Sequence, residues 1–494
     1  MNRKILLYFM VLIVIVTGVV TETPSIEGHA AGTYIKKREF IKELVIELEK
    51  NQDKNENYNI IINNKKTVVN GKKVKKSVLK KYAEKYSLAG DEKYCVAALK
   101  LGLVTTSELK KINKYMTRAE ALIFVYRAEK LVYGETISEE DINFVIENRI
   151  KDIDRIKNIK NREGIAGAYI SGFIKGSAEE YSHVRTLKLT KKIKTSEAQV
   201  IKEKLFDREK RYILSPDFQI TRDSKLPKQA SLYPYILDSF PNDYYDTGFN
   251  GMTSDFYESG KGIGADSLKK RMSRSSFSFV FPFEIKEFNS IKYPGPEFSY
   301  TSNVFLDCYR NDETPVELTE SSVEFYTYAL NVDYRNIAED TEWLSVMEKY
   351  LSQEEINEYI KHCIENKTII ECDRVSADPS AVYWYNGDYN CKVYAHFRVV
   401  SDIPLKEGYT SGSDQDKYGY LYPVRRGYES GTLFTRSVLG KMYMGYRIGE
   451  WTDFYFNTNG LSDSYGSLNC TNTSRGIMID YSGLCPWLFK MPFG

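Results

Sequence analysis

Residues 116–128 read MTRAEALIFVYRA, and this stretch decides the fold of the first half of the chain. Thr117 and Glu120 have the S/T-x-x-E spacing of a capping box, in which each side chain satisfies a backbone N–H at a helix start. Arg118 lies in the first helical turn, where a cation is unfavourable to the helix dipole by roughly 0.3 kcal/mol. This cost indicates that Arg118 serves another purpose, for which binding a ligand is one candidate. The apolar residues that follow recur close to one helical stripe: Ala119, Leu122, Ile123, Tyr126 and Leu131.

Two weaker copies of this helix start occur in the chain. Residues 35–40 read IKKREF and residues 193–198 read IKTSEA, so the three starts are 81 and 77 residues apart. A near-constant spacing is typical of repeated units that pack on one another. A second element also recurs, because one helical segment ends at Gly102 and another near Gly172, each with glycine at its carboxyl end.

A helix that ends in Leu-Gly-Leu, a loop and a Thr-Arg-Ala-Glu helix start resemble the S-layer homology (SLH) module of Gram-positive surface proteins. The resemblance covers residues 33–212 and implies three helical modules that bind an anionic, pyruvylated secondary cell-wall polysaccharide. In the first copy either Lys37 or Arg38 takes the place of the arginine, and the third copy has Thr195 there. The resemblance implies these polymer-binding residues: Thr117, Arg118, Glu120, Gly102, Lys37 and Arg38.

Residues 1–31 have the pattern of a secretory signal peptide. Arg3 and Lys4 form a basic start, residues 5–20 are almost wholly apolar, and residues 28–32 offer small side chains for cleavage. The apolar run is short for a membrane span, which needs about 20 residues. The sequence therefore predicts a secreted protein of the cell wall or cell surface, with no transmembrane segment after signal cleavage.

Charge divides the chain into two parts of opposite sign. Residues 33–212 hold 40 Lys and Arg against 26 Asp and Glu, whereas residues 213–494 hold 27 basic and 39 acidic residues. A basic region suits an anionic wall polymer, although an ordinary lysine-rich surface has the same composition. Nucleic acid would suit the charge equally well, but an exported protein rarely meets it, so nucleic acid is not an expected partner.

The sequence predicts a multi-domain protein with all-α SLH-like repeats at the N-terminus and a C-terminal α+β domain with an antiparallel sheet. A lysine-rich insertion between the first two repeats is expected to form a hairpin from residues 58–62 and 67–69. The predicted boundaries are residues 32–50, 82–132 and 150–208 for the repeats, 51–81 for the insertion, 213–275 for a proline-rich aromatic connector and 276–494 for the α+β domain.

Within the C-terminal domain, alternation and periodicity predict individual elements. Residues 341–366 are expected to form a helix, and residues 382–385 a hairpin with 390–400 across an Asn-Gly turn. On the second hairpin strand, Cys391, Val393, Ala395, Phe397 and Val399 share one face. Further strands are predicted at residues 275–285, 322–332, 441–448 and 451–456.

Cysteine and histidine usage gives little sign of a metal or a disulfide framework. The chain has seven cysteines, no CxxC pair and four histidines, so we expect neither zinc nor any other cofactor. Cys95 lies in a helical pattern and is expected in the core. The remaining six can be buried thiols or disulfides: Cys308, Cys363, Cys372, Cys391, Cys470 and Cys485.

Tyr394, His396 and Arg398 share the second face of the long hairpin strand. They can line a cleft for an anionic ligand, or they can form the solvated face of an antiparallel strand. No carboxylate spacing singles out a glycosidase pair.

The leading hypothesis is a surface protein that SLH-like repeats anchor without a covalent bond to an anionic wall polysaccharide, and that displays an α+β domain of unknown role. One alternative is an envelope-targeted hydrolase whose C-terminal domain is catalytic. Another is a protein- or lipid-binding surface module with purely structural repeats.

Overall fold

A computed structural model describes residues 33–246, 278–279, 314–401, 449, 451–461 and 477–479, with short gaps at 53–56, 89, 135, 216, 228–229, 231–232, 234, 352 and 386–387. The predicted signal peptide lies outside the described residues, as do Cys308, Cys470, Cys485 and the strand predicted at 441–448. The chain forms two compact units. Unit 1 contains residues up to Arg211 except Glu147–Lys151 and Lys175–Thr186, and these two segments join unit 2 with the chain from Tyr212 onward.

The described part of the chain is mixed α+β, with helices and two antiparallel sheets. The helices are α1 Lys37–Asn51, α2 Lys76–Tyr86, α3 Glu92–Lys100, α4 Thr106–Leu109, α5 Arg118–Tyr133, α6 Glu139–Asn148, α7 Ile159–Ile170, α8 Thr195–Phe206, α9 Asn242–Asp246, α10 Thr314–Ala329, α11 Thr341–Met347 and α12 Gln353–Asn366. The strands are β1 Ile60–Ile62, β2 Thr67–Val69, β3 Lys72–Lys73, β4 Ser278–Phe279, β5 Val332–Asp333, β6 Ile369–Ser376, β7 Tyr383–Tyr385, β8 Asp388–Ser401, β9 Thr452–Leu461 and β10 Ile477–Ile479.

Unit 1 is mainly helical but not all-α, because β1, β2 and β3 form a three-stranded antiparallel sheet. The predicted hairpin in the lysine-rich insertion is confirmed, with Ile60 opposite Val69 and Ile62 opposite Thr67. Asn70 and Gly71, both with positive φ, form the turn into β3. Tyr58 and Ile60 are buried, so the insertion contributes its own apolar residues to the core of the unit.

Helix α5 is buried on nearly all sides rather than along one stripe. Ala121, Phe124, Val125 and Ala128 are as deeply buried as the predicted residues, while Leu131 is only half-buried. A helix that is apolar all round is typical of a core position. Gly167 of α7 permits close packing here, since a Cβ at that position would lie 2.2 Å from the Tyr126 ring.

The strand predicted at residues 322–332 is wrong, since α10 covers most of it and only Val332 and the next residue form β5. The aromatic and β-branched residues of this segment favour a strand by composition. However, the buried residues Leu318, Phe325, Tyr326 and Ala329 recur at helical spacing, and their burial in one core stabilises the helix.

The helix predicted over residues 341–366 is two helices, α11 and α12. Asp340 caps α11 by accepting the backbone N–H of Glu342 at 3.1 Å and of Trp343 at 2.9 Å. Both helices contribute to one apolar core, through Trp343 and Met347 from the first and, from the second, Ile356, Tyr359 and Cys363.

The unit 2 sheet is antiparallel with the order β10-β9-β8-β6-β5, and β7 pairs with both β4 and β8. The predicted hairpin is confirmed, because β7 and β8 pair from Tyr383 opposite Asn390 to Tyr385 opposite Asp388. Strand β9 confirms the strand predicted at 451–456, and β4 falls within the one predicted at 275–285. The five residues predicted to share one face of β8 are all fully buried.

Candidate functional site

The three repeated helix starts meet in a closed ring of backbone hydrogen bonds. The Ile35 N–H donates to the Ile193 carbonyl at 3.3 Å, and the Ile193 N–H donates to the Met116 carbonyl at 3.0 Å. The Met116 N–H closes the ring by donating to the Ile35 carbonyl at 3.0 Å. All three residues are buried, so the ring fixes the three segments against one another at their amino-terminal ends.

A second set of hydrogen bonds joins the same three segments two residues further on, where each segment donates to the neighbour from which it accepts in the ring. Lys37 N–H donates to Lys114 at 3.1 Å, Arg118 N–H to Lys191 at 2.9 Å and Thr195 N–H to Thr33 at 2.9 Å, each to the carbonyl oxygen. Lys37, Arg118 and Thr195 therefore occupy equivalent positions in the three segments. This resolves the choice between Lys37 and Arg38, since Lys37 is the structural counterpart of Arg118.

Each of the three helices begins with the same glutamate interaction. Glu39, Glu120 and Glu197 accept the backbone N–H three residues earlier, at 3.0, 2.9 and 3.3 Å. Lys36, Thr117 and Lys194 donate these N–H groups, and of the three only Thr117 has a side chain that can accept a hydrogen bond in return. Its Oγ1 accepts the Glu120 N–H at 3.3 Å. The capping box predicted at Thr117 and Glu120 is therefore confirmed.

The motif cations link one repeated segment to the next. Lys37 of the first segment forms an ion pair with Glu120 of the second. Arg118 of the second forms one with Glu197 of the third at 3.0 Å and also donates to the Leu187 carbonyl at 2.9 Å. The Lys37 and Arg118 side chains are only 6% and 15% exposed, so both are committed to contacts within unit 1.

The third position of this cycle has no cation because threonine stands there. Thr195 Oγ1 donates instead to the Thr33 carbonyl at 3.0 Å. Arg38, the other predicted residue of the first copy, points elsewhere and pairs with Asp91 at 3.2 Å. Ion pairs thus link the first segment to the second and the second to the third, whereas neutral hydrogen bonds link the third segment to the first.

Gly102 acts at a helix end. It follows α3 with φ of +77°, which L side chains rarely adopt, and the Leu103 N–H returns to the Ala98 carbonyl at 2.9 Å. Gly172 repeats this arrangement after α7 with φ of +75°, and the Phe173 N–H returns to the Ala168 carbonyl at 3.1 Å. The two glycines therefore end equivalent helices.

Exposed residues beside the ring form a surface that sequence reasoning missed. We define the apical surface as residues 33–36, 114–117 and 191–194; these twelve residues include five lysines, two tyrosines and no acidic residue. Tyr34 and Tyr115 are 42% and 47% exposed, with ring centroids 6.2 Å apart. The Lys192 ammonium lies 4.9 Å from the Tyr115 centroid and 5.8 Å from that of Tyr34.

These three residues are equivalent in the repeats, since each directly precedes a ring residue. Their proximity could have been predicted only from an alignment of the three helix starts, because they are 81 and 77 residues apart in the chain. The exposed lysines Lys114, Lys191 and Lys194 surround them. The arrangement places flat apolar rings beside several ammonium groups, a combination that can bind a sugar ring bearing an acidic group.

The predicted ligand face of β8 is occupied by paired side chains. Tyr394 is buried and stacks on Tyr181 with ring centroids 3.4 Å apart. His396 Nδ1 lies 2.6 Å from an Asp373 carboxylate oxygen, and Arg398 Nε donates to Glu371 at 2.8 Å. The His396 ring stacks on Trp451 at 4.7 Å, and the Arg398 guanidinium lies 4.9 Å from the same ring. Arg398 and Glu371 are directly opposite each other on β8 and β6 and so form a cross-strand pair.

Unit 2 also contains a serine–histidine contact. Ser376 Oγ lies 3.2 Å from His183 Nε2, and Gln219 Oε1 lies 2.5 Å from His183 Nδ1. Burial lowers the pKa of His183. Because Ser376 is only 3% exposed, its hydroxyl serves a buried polar network rather than meeting a substrate.

Asp378 is a buried carboxyl in the same unit. It accepts hydrogen bonds from the Ser380 hydroxyl at 2.7 Å and the Tyr245 hydroxyl at 3.0 Å. Burial nevertheless raises its pKa to about 7, because the interior disfavours the charged form. This carboxyl therefore titrates near neutral pH.

The described cysteines are buried, except for Cys372, which is half-buried. Cys95 is fully buried, which confirms its predicted core position, and Cys363 and Cys391 are buried as well. Cys95 and Cys372 are free thiols, and burial raises the pKa of each to about 12. A thiol in this state is a poor nucleophile.

The described residues contain no cluster of His, Cys, Asp and Glu that could hold a metal ion. They also contain no helix long and apolar enough to cross a membrane. No known protein family, curated protein or solved structure matches the chain.

Proposed function

We propose that unit 1 is an SLH-like anchor that holds an exported protein on an anionic secondary cell-wall polysaccharide, and that the α+β unit is displayed outside the wall. The closed ring formed by residues 35, 116 and 193 carries this proposal. Three segments with the same short motif and equivalent hydrogen bonds are what three packed copies of one module would produce. The ring therefore supports the resemblance that the motif suggests.

The apical surface is the proposed contact with the polymer. Tyr34 and Tyr115 offer exposed rings on which the apolar face of a sugar can pack. Lysines 114, 191, 192 and 194 are exposed around them and attract carboxylate or phosphate groups on the polymer. Both kinds of contact are weak singly, so a repeating polymer that engages them several times suits this surface.

The motif residues support this surface in the proposed anchor. Thr117 and Glu120 shape the central helix start, and Lys37 and Arg118 hold the segments together through their ion pairs. Arg118 lies three residues after the exposed Tyr115, and the exposed 15% of its side chain can also contact the polymer.

The test is a co-sedimentation experiment with purified cell-wall sacculi and the chain from Thr33 onward. We expect the double variant Tyr34→Ala/Tyr115→Ala to bind at least about tenfold more weakly, since stacking contributes roughly 1 kcal/mol per ring. Phe144→Ala is the matched control, because Phe144 is a similarly exposed aromatic residue, at 38%, away from the apical surface. Equal binding by the double variant and the control would refute the proposed contact.

A further inference from the structure

The lysine-rich insertion of unit 1 and the residues that follow it line an open cavity of about 880 Å³. The β1–β2 turn and the start of β2 form one wall, and β3 leads into α2, which forms another. Residues at the start of α3 complete the lining. This volume is typical of a ligand-binding pocket and far exceeds that of a single small anion. The cavity is separate from the apical surface, with which it shares no residue.

The lining of the cavity is strongly basic. Lys93 is half-buried, and its ammonium donates to the Asn63 carbonyl at 3.2 Å. Glu92 is the only acidic residue among the described residues of the lining. The remaining charged residues of the lining are six exposed lysines: Lys65, Lys66, Lys73, Lys75, Lys76 and Lys80.

Helix α2 and the β1–β2 turn place several of these lysines around the same cavity. On α2, residues 76, 79, 80 and 83 follow the helical repeat of one face, and all four line the cavity. Across from them, Asn63 Oδ1 accepts the backbone N–H groups of Lys65 at 2.9 Å and Lys66 at 2.8 Å, which fixes the turn that carries both. The positive charges therefore repel one another in the free protein, and an anion would relieve that repulsion.

The lining has features besides charge that bear on the kind of ligand. Val74, Leu79 and Ala83 add an apolar floor. The described lining contains no aromatic side chain, so it lacks the stacking platform that nucleic-acid bases use.

We propose that this cavity binds a polyanion that carries several phosphate or carboxylate groups on a non-aromatic backbone. Lysine ammonium groups act as point charges and accept either kind of anion, whereas arginine, which favours bidentate geometry, is missing from the described lining. The apolar floor suits the carbon skeleton between the charged groups. Unit 1 would then hold two anion sites, of which this one does not depend on the repeat motif.

Isothermal titration of the chain from Thr33 onward tests the proposal, with tripolyphosphate and oligogalacturonate as the phosphate and carboxylate probes. We expect saturable binding of at least one probe that weakens as salt rises. The triple variant Lys66→Gln/Lys76→Gln/Lys80→Gln should bind at least about tenfold more weakly, since it removes three positive charges from the lining.

The matched control is Lys157→Gln/Lys160→Gln/Lys361→Gln, which removes the same charge from exposed positions outside the cavity. Each triple variant also removes one weak ion pair between residues four apart in a helix. This pair is Lys80–Glu84 in the cavity variant and Lys361–Glu365 in the control, each at 3.9 Å. Circular dichroism melting of both variants establishes that they fold. The control should bind each probe with an affinity within about twofold of the wild type. This result would assign the weaker binding of the triple variant to the cavity lysines rather than to the total positive charge of the protein.

Three results would overturn the proposal. They are equal affinities of the two triple variants, a lack of saturable binding to both probes, and tighter binding of an oligothymidylate than of either probe. Failure here leaves wall anchoring intact, because co-sedimentation with sacculi depends on Tyr34 and Tyr115, which neither triple variant changes.

Discussion

At the scale of single residues, the unusual cation at the start of α5 has a clear structural role. Arg118 opposes its own helix dipole but pairs with Glu197 of the next segment and donates to the Leu187 carbonyl. Lys37 makes the equivalent pair with Glu120. The local cost predicted from sequence is thus offset by contacts between segments that are distant in the chain, and such contacts cannot be read from the motif itself.

We expect Arg118→Ala to lower the free energy of unfolding of unit 1 by about 1–2 kcal/mol, measured by urea unfolding. The expected loss of stability is modest because the Glu197 side chain left behind is 38% exposed and can be solvated. Arg118→Lys should restore most of the stability, as lysine makes the same contact at Lys37. An alanine variant as stable as the wild type would contradict this role.

The lysine variant also separates positioning from polymer contact. If Arg118 only positions the segments, Arg118→Lys should bind sacculi like the wild type. If its guanidinium contacts the polymer, that variant should keep its stability and lose affinity. Lysine lacks the planar fork that arginine presents to carboxylates, so the substitution distinguishes the two roles.

At the scale of elements, hairpins were predictable from sequence because the signal is local. Alternation and an Asn-Gly turn predict β7 and β8, and the five residues predicted to share one face of β8 are all fully buried. Helix α10 was not predictable in this way, since its Phe325 and Tyr326 favour a strand by composition. Only packing in the unit 2 core decides its conformation.

The packing of α7 on α5 gives a test at this scale. A Cβ at Gly167 would lie 2.2 Å from the Tyr126 ring, whereas one at Gly164 would lie 3.5 Å from the nearest atom of Ile123. Gly167→Ala should therefore destabilise the protein by about 1–3 kcal/mol through overpacking. Gly164→Ala, the control, should be neutral or stabilising, since alanine favours a helix by about 1 kcal/mol over glycine.

Thermal unfolding of the two alanine variants provides the measurement. A lower melting temperature for Gly167→Ala alone is the expected result. If both variants melt together with the wild type, the close approach of α7 to the Tyr126 ring is not a feature of the molecule in solution.

At the scale of the whole molecule, the distribution of charge and the repeated motif are the sequence features from which a function can be predicted. The opposite charges of residues 33–212 and 213–494 and the three spaced motifs predict a basic repeat region before an acidic α+β domain. The apical surface and the insertion cavity could not be predicted from local pattern. Tyr34, Tyr115 and Lys192 come together only through the hydrogen-bonded ring, and the cavity lysines only through the fold of the insertion.

The affinity of the chain for purified secondary cell-wall polysaccharide, measured before and after amidation of the polymer's acidic groups, tests the anchoring proposal most directly. We predict saturable binding to the native polymer and a loss of at least about tenfold after amidation, because the apical lysines then lose their charged partners. Failure of the native polymer to bind, or equal binding of the native and amidated forms, would contradict anchoring on an anionic polysaccharide.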